Sequence, residues 1–131
     1  EDTAKLMAQA APQAAVMFHN MADEVGAMGG ANMEAGPLGD IASEYLKLHA
    51  QYEPEDARYL ENHRGHLMYL RPEERHITPE LARSTTLSGR REELVERLRE
   101  IKRLGYAQVT VQVVHGHESA LEDWAEIFQA L

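Results

Sequence analysis

Two histidine pairs hold most of the chemical potential of this 131-residue sequence. His115 and His117 flank Gly116 in an H-x-H, and His63 and His66 stand three apart around Arg64 and Gly65. Either spacing presents two imidazoles to one ion, but a working metal site needs three or four ligands. No carboxylate or third histidine is fixed by spacing at either place, so no metal is expected. Gly65 marks a helix end, where histidine also complements the negative end of the helix dipole with no further role. Ser84, Thr85 and Thr86 have no base partner, which leaves no nucleophile system. The five glycines from Gly26 to Gly39 lack the G-x-x-x-x-G-K-[ST] pattern and follow a helix, so they form no phosphate cradle. That stretch reads as a loop, the edge of a lid. Met7, Met17, Met21, Met28 and Met33 read as core filler.

The net charge is −9, with 44% hydrophobic and 27% charged residues, the composition of one packed domain. Such an acidic balance argues against nucleic acid, whose phosphates need clustered cations. The one basic run, Arg90 to Arg103, is interleaved with Glu92, Glu93, Glu96 and Glu100 and reads as a solvated helix face. No apolar run approaches the ~20 residues of a membrane span. The N-terminal apolar residues are broken by Gln9, Pro12 and Gln13 and make a poor leader. With no cysteine there are no disulfides or thiolate sites, and a reducing cytoplasm is expected.

These residues need elements to position them. The alanine- and methionine-rich segment 3–25 predicts a helix that begins or kinks at Pro12. Asp40 then caps a helix to about Tyr52, with Ile41, Tyr45 and Leu48 as its apolar stripe. A short helix over 54–62 starts at Pro54 and closes at His63–His66; Leu67 to Leu70 reads as strand or helix. Another short helix is expected over 79–83. Leu94, Leu98, Ile101 and Leu104 share one face of a helix over 90–104, ended by Gly105. Segment 106–114, with Val109, Val111 and Val113 at period two, predicts a strand. Ser119-x-x-Glu122 is a capping box for a helix over 119–131, whose buried stripe is Leu121, Trp124, Phe128 and Leu131.

A helix, strand, helix ending is the repeating unit of a β/α protein. Only 66–70 and 85–88 offer a second strand, and both are weak. Unpaired backbone groups in a buried strand cost about 1–3 kcal/mol each, more in sum than a total stability of roughly 5–15 kcal/mol can absorb. Partner strands from the rest of a longer chain or from another subunit are therefore expected.

Thr86-Leu87-Ser88-Gly89-Arg90-Arg91-Glu92-Glu93-Leu94 resembles the Gly-Thr-Pro-Glu-Glu segment that opens the penultimate barrel helix of luciferase-like monooxygenases. Leu104-Gly105-Tyr106-Ala107-Gln108-Val109 is similar to the step into their eighth strand, and Glu122-Asp123-Trp124-Ala125 to their final helix. His63-Arg64-Gly65-His66-Leu67-Met68 resembles a stretch of the branch that uses deazaflavin F420, which includes methylenetetrahydromethanopterin reductase-like proteins. Arg90-Arg91 departs from the family's Thr-Pro, so Ser88 takes over the cap.

The resemblance implies an α/β fold, the C-terminal portion of a (β/α)8 TIM barrel whose first seven strands lie outside this sequence. Residues 1–85 would be a helical excursion after strand seven, and 86–131 the last unit, with helix 90–104, strand 106–114 and helix 119–131. It implies a homo-oligomeric oxidoreductase that moves a hydride between FMN or F420 and a small organic substrate. Barrel active sites lie at the C-terminal ends of strands, which assigns His115, Gly116 and His117 to the cofactor and His63, Arg64 and His66 to the substrate. Two other readings compete. One is a non-catalytic acidic interaction module that pairs its strand with a partner's sheet; the other is a metal hydrolase built on the H-x-H turn.

Overall fold

The computed structural model describes residues 3–28 and 36–131. The core of the glycine-rich stretch, 29–35, lies outside the described residues, so its reading as a lid edge does too. Helix α1 spans Thr3–Met28 without interruption, with Pro12 inside it and no new start or break there. An interior proline costs a helix about 3 kcal/mol. Burial of one face offsets that cost: Ala10, Ala11, Ala14, Ala15, Phe18 and Ala22 are almost wholly buried. The small alanines let other segments approach the α1 backbone closely.

Helix α2 (Gly39–His49) begins at Gly39 after Leu38, with no side-chain cap, so Asp40 sits in the first turn rather than at the cap. There it still complements the helix dipole. A 3-10 turn, Glu55–Ala57, leads into the single-turn helix α3 (Arg58–Asn62). Helix α4 (Pro79–Thr85) is started by Thr78, whose Oγ1 accepts from the Leu81 N–H at 3.2 Å, with Pro79 in the first turn. Helix α1 packs chiefly on α4 and then on α2. Their shared core holds Phe18, Tyr45, Ile77 and Leu81.

Helices α5 (Arg91–Arg103) and α6 (Ala120–Gln129) form a second core from Leu94, Val95, Leu98 and Ile127, with Ile101, Val109 and Trp124 packed on it. The Glu93 carboxylate accepts from the Arg90 N–H at 2.8 Å and closes the α5 N-terminus. Ser88 accepts from Thr86 Oγ1 and caps nothing. Ser119 makes no side-chain cap either.

The expected α/β barrel portion is not found. The described residues contain six α-helices and a 3-10 turn, and no strand. Residues 106–114 form no regular element but alternate as a half-buried strand would, with Val109, Val111 and Val113 partly buried and Thr110 and Gln112 exposed. Yet no backbone hydrogen bond joins 107–113 to another described segment. The physical reason is the lack of a partner: 66–70 is mostly turn, and 85–88 is a helix end and a bend. One strand makes no ladder.

The face of the last helix also differs from expectation. Ala120 and Ile127 are buried and Trp124 half-buried, whereas Leu121, Phe128 and Leu131 are exposed. Leu104, expected on the α5 stripe, is exposed as well.

Candidate functional site

His19 is the decisive residue, and it sits where an amphipathic helix should have none. It lies on the alanine face of α1, one turn from Ala15 and Ala22, and is 1% exposed. A buried imidazole must satisfy both ring nitrogens. Its Nε2 meets Glu74 Oε1 at 2.5 Å, and its Nδ1 meets His66 Nδ1 at 3.0 Å. His66 Nδ1 also stands 3.0 Å from His63 Nδ1. His63 Nε2 in turn meets Asp23 Oδ2 at 2.5 Å. Three imidazoles are thus joined through their Nδ1 atoms, and a carboxylate backs each outer ring.

Buried polar groups hold both carboxylates. Arg71 donates from Nη2 to Glu74 Oε1 at 2.7 Å and to the Tyr45 hydroxyl at 2.8 Å, and its backbone N–H donates to Glu74 Oε2 at 2.8 Å. The Tyr45 hydroxyl donates to Asn62 Oδ1 at 2.8 Å. Asn62 Nδ2 then donates to the His19 carbonyl at 2.8 Å and to Asp23 Oδ1 at 3.0 Å. Arg71, Tyr45, Asn62 and Glu74 are all essentially inaccessible.

The electrostatics follow from this packing. Burial alone would raise the Glu74 carboxyl, but hydrogen bonds from His19 and Arg71 prevail and hold it at about 2. Burial pushes the Tyr45 phenol up, with Arg71 opposing. Burial lowers His66, and the neighbouring His63 and His19 lower it further, so its neutral form is favoured.

Local backbone geometry places His66. Gly65 has φ +76, a left-handed conformation that favours glycine, and the Tyr69 ring lies over it, 2.5 Å from where a Cβ would stand. Leu67, on the other side of His66, holds φ 64. A left-handed non-glycine residue costs roughly 1–2 kcal/mol, and such strain gathers where surrounding structure fixes a functional side chain.

Of the six residues assigned by resemblance, His63 and His66 are brought together. Arg64 is turned outward, bound to Glu61 at 2.7 Å and to Glu73 at 3.4 Å. The His115–Gly116–His117 turn lies apart from this cluster. His115 has a side chain 78% exposed beside Glu118, the Gly116 N–H donates to Glu118 Oε1 at 2.9 Å, and a Cβ on Gly116 would meet nothing within 4 Å. A cleft of about 610 Å³ lies elsewhere, between the first turns of α1, Thr85–Arg91, Thr110–Val114 and Trp124.

The sequence reading missed His19, Asp23, Tyr45 as a polar group, Asn62, Arg71 and Glu74. One signal was available: a histidine four residues from Ala15 and three from Ala22 interrupts an otherwise small apolar face. No group of three His, Cys, Asp or Glu among the described residues is placed to hold a metal ion. The arrangement is suited to holding and passing protons.

No protein-family model, curated protein or solved structure matches this chain. No helix among the described residues is long and apolar enough to cross a membrane.

Proposed function

We propose that this chain is part of a flavin- or deazaflavin-dependent oxidoreductase of the luciferase-like class, working in the cytoplasm on a small organic substrate. The observation that carries the reading is the junction of His63 and His66 with His19. Two residues assigned to the substrate by resemblance belong to one acid–base cluster that reaches the surface at His63, whose side chain is 35% exposed. FMN or F420, when bound, would carry the hydride, and the protein would bind, orient and protonate. This chain would contribute pocket wall, with His115, Gly116 and His117 beside the cofactor, and the main cradle would come from other parts of the enzyme. The test is titration of the full-length enzyme with FMN and with F420, followed by absorbance and fluorescence. Saturable binding of one of them is expected; binding of neither would overturn the reading.

A second reading has its own observation. Segment 107–113, without a backbone hydrogen bond to another described segment and next to exposed Leu104 and Tyr106, fits an acidic module that pairs residues 106–114 with a partner's strand. A folded, soluble and monomeric 1–131 chain on size-exclusion chromatography would favour it over the enzyme.

A further inference from the structure

We propose that His66 is the proton-accepting residue of an acid–base site, with His19 and His63 as its two proton sinks. Hydrogen-bond accounting leads there and does not depend on the cofactor reading. Glu74 and Asp23 are carboxylates, which only accept, so His19 and His63 must each present Nε2–H to them. Arg71 Nη2 also approaches His19 Nε2, at 3.4 Å; the 2.5 Å carboxylate contact is the stronger and fixes the tautomer.

In their neutral forms His19 and His63 therefore both turn an Nδ1 lone pair towards His66 Nδ1. Only a proton on His66 Nδ1 makes those contacts attractive, and it is shared between two acceptors. That leaves His66 Nε2 a lone pair, with no hydrogen-bond partner among the described residues. Solvated histidine carries no such constraint, and here His19 and His63, fixed by Glu74 and Asp23, impose it.

The consequence is a relay. A proton that arrives at His66 Nε2 makes the ring an imidazolium, and its Nδ1 proton can pass to the Nδ1 of His63 or His19. The positive charge then rests beside Asp23 or Glu74, while His66 returns to neutral. The electron pair of the broken bond stays on the proton's donor. A neutral small molecule with a hydroxyl or an activated C–H is the class of substrate that such a base serves.

Diethyl pyrocarbonate, which acylates unprotonated imidazole nitrogen, tests this on the full chain by mass spectrometry. His115 and His117, on their exposed turn, serve as internal references. At neutral pH His66 should react at Nε2 at least as fast as the reference pair despite being half-buried. Glu74→Gln and Asp23→Asn should each slow it by about threefold or more, because each removes the charge that stabilises a sink, while the references stay unchanged. Circular dichroism confirms that each variant is folded. A His66 that reacts well behind the references, or that ignores both substitutions in folded protein, overturns the proposal.

Discussion

Arg71 and Glu74, three residues apart, form an ion pair whose side chains are wholly inaccessible, bonded through both the guanidinium and the Arg71 backbone N–H. Removing one member strands a buried charge, which costs about 3–5 kcal/mol, whereas replacing both with apolar groups of similar volume is often near neutral. Glu74→Gln should therefore destabilise the chain by roughly that amount in urea unfolding. Arg71→Met combined with Glu74→Leu should recover most of the loss. Equal losses in the single and double variants would show that the pair does not act as a unit.

Acid should weaken the fold in two stages. His66, His49 and His76 all have folded values lowered from 6.5, burial being the first cause in each. The unfolded chain binds these protons more readily, so stability is full above 6.5 and falls as pH drops below it. Glu74 is also depressed, from 4.5 to about 2; its contribution is full above 4.5 and is lost as pH falls towards 2. Melting temperature followed by circular dichroism should decline from pH 6.5 downward and steepen below 4.5. A flat profile between pH 7 and 5 would contradict the histidine part.

The last helix offers a contrast in adjacent positions. Ile127 is 5% exposed and Phe128 39%. Ile127→Ala should cost about 2–5 kcal/mol. Phe128→Ala loses mainly its tilted contact with Trp124, at a centroid distance of 5.8 Å, worth about 1 kcal/mol. The reverse order in chemical denaturation would place the buried face on the other side of α6.

Segment 107–113 makes no backbone hydrogen bond to another segment among the described residues. Its amides should exchange at the rate of an unstructured peptide in the isolated chain, while those of α1 near Phe18 stay protected. Slow exchange across 107–113 would mean that a second copy already pairs with it.

Much of the helical scaffold was legible because its signals are local. Pro79 behind Thr78, Leu94 and Leu98 on one face, and Gly105 after α5 each act within one turn of chain. Pro12 misled because tertiary burial of the alanine face outweighs a local breaker. The strand over 106–114 misled differently: the pattern was there, but a ladder needs residues that the chain does not place beside it. The site was half legible. His63 and His66 stood out as a spaced pair, but His19, 44 positions before His63, meets them only after α1 docks. Tyr45, Asn62, Arg71 and Glu74 look like ordinary helix and loop residues until the core closes on them.

The protonation state of His66 is the most direct test of the whole arrangement. Long-range proton–nitrogen NMR correlation on the ring-labelled full chain at neutral pH reads the state of each imidazole nitrogen. His66 should carry its proton on Nδ1 with Nε2 bare, and His19 and His63 should each carry one on Nε2. A His66 with its proton on Nε2 and a bare Nδ1 would leave three lone pairs facing one another, and would contradict the relay and the site built on it.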